Sequence, residues 1–142
     1  MDKKVMKQMA KMVDAVQPNC DEEIVAAMTC SHAGSMRSLL VSKLMGGAGA
    51  GTRTSDLPNP VFIAVGEKSI YAFKYAPRGF KFKIKQEVAR WSKDEITVDS
   101  EFSGGMATIV LTTKSGEGYA LEVPTLMGAK ELVEMFLDAI QS

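Results

Sequence analysis

Residues 60–85 read PVFIAVGEKSIYAFKYAPRGFKFKIK, and this stretch decides the fold. Val61 to Val65 is an unbroken apolar run, the pattern of a strand buried on both faces. Gly66-Glu67-Lys68 turns it into a second strand, Ser69–Tyr75. Ala76-Pro77-Arg78-Gly79 then sets proline and glycine where a type I turn takes them. After it, Phe80, Phe82 and Ile84 alternate with Lys81, Lys83 and Lys85, the two-residue period of a strand with one wet face.

The same rhythm continues toward the C-terminus. A strand ending near Trp91 follows, continuous with the last or after a break. Ile96, Val98, Ser100 and Phe102 alternate with Glu95, Thr97, Asp99 and Glu101. Ser103-Gly104-Gly105 separates them from Met106–Thr113, and Ser115, Gly116 and Gly118 lead into Tyr119, Leu121 and Val123. Hairpin signals at such regular spacing favour an antiparallel barrel or sandwich. The pattern then changes once. Ala129, Leu132, Val133, Phe136, Leu137 and Ile140 repeat at helical spacing, with Lys130, Glu131, Glu134, Asp138 and Gln141 opposite them and Thr125 as the expected N-cap. The fold class expected is α+β and mainly β: about seven antiparallel strands in a barrel or sandwich, capped by a C-terminal helix.

Upstream, Val5, Met9, Met12, Val13 and Val16 mark one face of a helix over residues 2–16, which Gln17-Pro18 ends because proline disfavours helical geometry in the residue before it. Residues 23–29 read as a first strand, with a helix left open by Ala26 and Ala27. Residues 31–57 are harder to place. Met36, Leu39, Leu40 and Leu44 suggest a short helix, and the Gly/Ala tract from Gly46 to Gly51 follows it. A connection this long is functional or mobile. The expected organisation is an N-terminal helix over 1–18 and one domain over 19–142, with a mobile insertion at about 31–57.

The chain's 142 residues are enough for one domain that buries roughly 68–70% of its unfolded surface. Seventeen basic and seventeen acidic residues cancel, so no global field steers the chain to nucleic acid or to a membrane, and an electrostatic partner must be read by a local patch. Lys3, Lys4, Lys7 and Lys11 are interleaved with apolar residues and precede no continuous apolar run, which is not the pattern of a secretory signal. No stretch approaches the length of a membrane span. Two cysteines without an export signal point to reduced thiols and a cytoplasmic location. No cofactor is implied, and no small-molecule ligand is specified.

The order of strands and final helix resembles that of the bacterial pleckstrin-homology-like (PH-like) domains. The most similar pieces are VFIAVGEKSIYAFK at 61–74, EVARWSKDEITV at 87–98 and ALEVPTLMGAKELVEMFLDAI at 120–140. The resemblance covers about residues 22–141 and is one of pattern, without an invariant catalytic motif. It implies a scaffold for lipid, peptide or self-association contacts and no inherent enzymatic activity. Phosphoinositide-binding members carry basic residues on the first two strands and their loop, where this chain has only Arg37, Lys43 and Arg53. The tryptophan that many eukaryotic members carry in the final helix is also missing, since Trp91 is the sole one. Phosphoinositide binding is therefore not carried over.

Four residue sets could carry chemistry or contact. Lys74, Arg78, Lys81, Lys83 and Lys85 fall within twelve residues without an intervening acid. On a strand, the last three share a face about 6.6 Å apart, inside a Debye length of about 8 Å, so their fields add. They could hold a lipid headgroup, phosphate, nucleic acid or an acidic peptide, or simply be a solvated face that discourages edge aggregation, with Glu95, Asp99 and Glu101 as neutralisers. GGAGAG at Gly46 to Gly51 is no phosphate loop, because Thr52 and Arg53 stand where Lys-Ser/Thr is needed. Cys20, Cys30 and His32 offer three ligands where structural zinc takes four, and Cys30 with His32 is the least favoured reading, a nucleophilic pair lacking an orienting partner. Met6, Met9 and Met12 suit soft Cu(I) or, more simply, an adaptable packing face against this chain or a partner.

The sequence thus favours a non-enzymatic binding or adaptor domain working through a protein partner or self-association, with Met6, Met9 and Met12 as candidate interface. The alternative is an anionic-ligand surface on the Lys81, Lys83, Lys85 strand, on which nucleic acid and membrane are the less favoured partners.

Overall fold

The structure, a computed structural model, describes residues 3–33, 54–79, 81–126 and 128–142. Helix α1 (Lys3–Val16) forms as its periodicity predicts and gives way to a single 3-10 turn, Gln17–Asn19, at Pro18. Seven strands follow: β1 (Ile24–His32), β2 (Val61–Gly66), β3 (Ser69–Arg78), β4 (Lys81–Ser92), β5 (Ile96–Ser103), β6 (Met106–Thr113) and β7 (Gly118–Pro124). Helix α2 (Ala129–Gln141) closes the chain. Every paired strand is antiparallel, in the order β4-β3-β2-β1-β7-β6-β5. β1 joins the two halves: Ile24 to Cys30 pair with β2, whereas Ser31 and His32 pair with β7. This is the mainly-β, PH-like architecture expected, a seven-stranded sheet with a helix at either end of the chain.

Burial explains the sequence pattern. All six residues of β2 are buried, so its apolar run is covered on both faces. Phe62, Ile63, Tyr71, Phe73, Ile109, Leu111 and Leu121 meet Phe136 and Val133 of α2 in one continuous core. α2 lies against β1, β2, β5 and β7, and α1 lies against β1 and β4. No helix among the described residues is long and apolar enough to cross a membrane.

Four expectations need correction. Met9 and Met12 are only 4% and 2% exposed, because that side of α1 is pressed onto β1, where the Met9 sulfur accepts the Ala27 amide at 3.3 Å. They belong to the chain's own core, and of the methionine array only Met6, 55% exposed, faces solvent. The turn expected at Ala76–Gly79 is shorter: β3 runs on to Arg78, and Gly79, at φ 60, begins the connection to Lys81. Pro77 is tolerated within β3 because β2 stops pairing at Phe73, so its missing N–H breaks no bond to β2. Helix α2 is capped by Gly128 at φ 85, a left-handed conformation that glycine adopts freely, and not by Thr125, whose amide donates to the Gly105 carbonyl at 2.8 Å. The apolar side of β5 also leaves the core: Ile96 is buried, yet Phe102 is 38% exposed with the Lys130 ammonium 5.4 Å from its ring centroid.

Of the segment 31–57, Ser31 and His32 belong to β1, and Thr54–Asp56 form a 3-10 turn. Thr54 Oγ1 accepts the Ala120 amide at 2.8 Å, and Leu57 beside it is buried. The helix expected around Met36–Leu44, the glycine tract, and Arg37, Lys43 and Arg53 lie outside the described residues.

Candidate functional site

The antiparallel register of β3 and β4 assembles the basic cluster. Arg78 stands directly opposite Lys81, and Ala76 opposite Lys83. Directly opposed residues share a face, and so do every second residues along a strand, so Lys74, Arg78, Lys81 and Lys83 point outward together. Lys85 extends the row, next to a place where the β3–β4 register shifts. All five are exposed. The opposite face of the hairpin is apolar: Tyr75 faces Ile84 and Pro77 faces Phe82, and the rings of Phe62, Tyr75 and Phe82 pack at 5.6–6.1 Å between centroids. The core thus anchors the hairpin from beneath and leaves its cations on the surface.

The electrostatics of that face are unfavourable in isolation. Arg78 and Lys81 are a directly opposed like-charge pair, with Cβ atoms about 4.5–5.5 Å apart, an arrangement that destabilises a sheet. Among the described residues no carboxylate lies within salt-bridge distance of any of the five. The neutralisation considered for Glu95, Asp99 and Glu101 is not provided by strand pairing, because β5 pairs with β6 and stands at the far end of the strand order from β4.

A second cluster was not visible in the sequence. The buried Tyr71 hydroxyl lies 2.9 Å from Asp21 Oδ1 and 2.8 Å from Glu22 Oε2, so its one proton serves two carboxylates. Arg90 grips Glu87 through Nε at 3.0 Å and Nη2 at 2.8 Å, reaches Asp21 through Nη1 at 3.3 Å, and stacks 4.6 Å from the Tyr71 ring centroid. The Lys68 amide donates to Glu22 Oε1 at 2.7 Å, and the Gln17 side chain ties the Glu22 carbonyl to the Ile24 amide. These contacts span up to 69 residues in sequence and latch the start of β1 to β3 and β4.

The latch sets a pH dependence. Hydrogen bonds from Tyr71 and Arg90 hold Asp21 below its ordinary 3.8. Desolvation alone would raise Glu22, but the Lys68 amide, Tyr71 and Ser69 outweigh it and hold the carboxyl below its ordinary 4.5. A carboxyl lowered in the folded state stabilises fully above its unfolded value and loses that contribution as pH falls through the folded one. The melting temperature should therefore fall as pH drops below 4.5, and fall less steeply in Tyr71→Phe, which has no hydroxyl to donate. An equally steep fall in both proteins, measured by circular dichroism, would remove Tyr71 from this role.

The cysteine–histidine reading is not supported by the geometry. Cys30 is 2% exposed, and burial pushes its thiol up to about 12, the reverse of an activated thiolate. His32 Nε2 lies 2.9 Å from the Leu57 carbonyl and 3.1 Å from that of Pro58; both accept, so this nitrogen donates to backbone. Burial, with Glu87 adding to it, also pushes Cys20 up to about 11. Among the described residues no group of three or more His, Cys, Asp or Glu could hold a metal ion. On α1, Lys4, Lys7 and Lys11 line a shallow groove that also holds Asp14, so its charge is mixed where that of the hairpin is uniform.

No family model matches the chain, and no curated protein matches it. Among solved structures it is similar to one titled "Vav1 inhibited by an allosteric inhibitor: Vav1 inhibitors block GEF activity", at 16% identity and a TM-score of 0.49. The likeness covers 97% of this chain and 34% of that one, so the chain spans far less than the length of the protein it is compared with.

Proposed function

We propose that this chain is a non-catalytic, PH-like binding domain of the bacterial type, whose working surface is the outer face of the β3–β4 hairpin and whose partner is an acidic protein surface. The observation that carries this reading is the set of five exposed cations on one sheet face, with Arg78 held directly across from Lys81. Real proteins break a local rule of stability mainly where function requires it. The burial of Met9 and Met12 supports the same choice, since it leaves the methionine face with Met6 alone. Nucleic acid fits less well, because single strands are bound on stacking aromatics and the aromatic rings of this hairpin's described residues point inward. A reducing, cytoplasmic compartment suits two unpaired cysteines.

Poly-L-glutamate is a suitable probe. Changing Lys81, Lys83 and Lys85 together to Gln should weaken its binding by about 3-fold to 150-fold and flatten the salt dependence, because exposed ion pairs contribute about 0.2–1 kcal/mol each. The melting temperature should stay level or rise slightly, since one like-charge pair is relieved. Equal binding by both proteins would refute the reading. Binding to phosphatidylserine vesicles but not to poly-L-glutamate would replace the protein partner with a membrane.

A further inference from the structure

A proline in the β3–β4 hairpin fixes which backbone groups face its outer side. Among the described residues no strand pairs with the outer edge of β4. Pro77 stands opposite Phe82 and has no N–H to exchange with it. The bonds between the two strands are therefore exchanged on either side of that pair, by Ala76 with Lys83 and by Arg78 with Lys81. In an antiparallel ladder the residues between such pairs turn their N–H and C=O the other way. Phe82 and, two residues on, Ile84 thus aim both groups at the outer edge. Past Ile84 the register shifts, and farther along Glu87 and Arg90 are held in the latch with Asp21. The regular part of the edge is the stretch from Lys81 to Lys85.

We infer that this edge takes an extended acidic segment of a partner protein as an added antiparallel strand. The inference rests on the acidic-partner reading above and specifies how such a partner is held. A strand laid along the edge exchanges backbone bonds with Phe82 and Ile84, which gives affinity without regard to sequence. Its residues at those two positions fall on the apolar face, where Phe82 and Ile84 are half-buried at the rim of the core and gain cover. Its residues opposite Lys81, Lys83 and Lys85 fall on the outer face, in non-hydrogen-bonded pairs whose Cα atoms are only about 4.5 Å apart. All three lysines are exposed, so carboxylates are what those positions favour. The partner's pattern is then acid, apolar, acid, apolar, acid. Lysines on an edge strand keep other strands away, and here the same lysines select one that carries acids. Two β4 edges would set lysine against lysine, so a second copy of this chain is not the occupant.

Amide NMR titration of the full chain with the acetylated, amidated pentapeptide EVEVE reads the outcome. The peptide should bind and slow hydrogen exchange at the Phe82 and Ile84 amides, which it takes as donors. Two N-methylated forms separate an added strand from a mere charge. Methylating both valine amides removes the donors to the Phe82 and Ile84 carbonyls and should weaken binding about fivefold or more, because two hydrogen bonds are lost. Methylating the central glutamate amide, which faces away from β4, should leave binding as it was. Equal binding by all three peptides overturns the inference, and so does an EVEVE peptide that does not bind. Self-association that protects the Phe82 and Ile84 amides without any peptide would put a second copy on this edge and overturn it as well. Failure here with poly-L-glutamate binding intact removes the added strand and leaves the acidic-partner reading standing; loss of both removes both.

Discussion

Replacing Phe136 by alanine should lower the unfolding free energy by about 3–5 kcal/mol, the largest effect expected from one substitution in this chain. The ring is 1% exposed and lies in the main core cluster, on the side of α2 that also buries Val133, Leu137 and Ile140. Removing it loses the transfer free energy of the ring and leaves a cavity, since two sheet halves and a helix cannot all close on one site. A domain of this size is stable by about 5–15 kcal/mol, so the variant would sit near the edge of folding. Urea unfolding measures the loss. A change below about 1 kcal/mol would mean that α2 rests on the sheet without sealing it.

The second large effect separates the two ends of the methionine array. Met12→Ala should cost about 2–5 kcal/mol, whereas Met6→Ala should stay within about 0.5 kcal/mol. Met12 is 2% exposed on the buried face of α1, and Met6, 55% exposed, lies off that face of the same helix. The comparison also decides whether α1 is integral to the fold or an appended arm, because an arm could lose Met12 at little cost. Thermal or urea melts of the two variants side by side give the answer, and equal, small losses would detach α1 from the core.

Periodicity made both helices and the buried runs legible. Local spacing fixes which face of α1 and α2 is apolar, and an unbroken run such as Val61–Val65 has few readings. The hairpin cations were legible too, because their alternation with Phe82 and Ile84 is local. Their opposition to Arg78 was not, since it depends on where the turn falls, and Pro77 drew the turn three residues too early. The Tyr71 latch was invisible for a different reason. Its members sit up to 69 residues apart, and the one local pair among them, Arg90 with Glu87, points to neither Asp21 nor Tyr71. Met9 and Met12 show the remaining ambiguity: an apolar helix face looks the same in sequence whether the chain itself or a partner covers it.

Amide chemical-shift mapping with poly-L-glutamate reports the bound surface residue by residue. Perturbations should centre on Lys74, Arg78 and residues 81–85 and decrease with added salt as exposed charges are screened. Perturbations centred on the Lys4, Lys7, Lys11 groove of α1, or none at any salt concentration, would contradict the proposed surface.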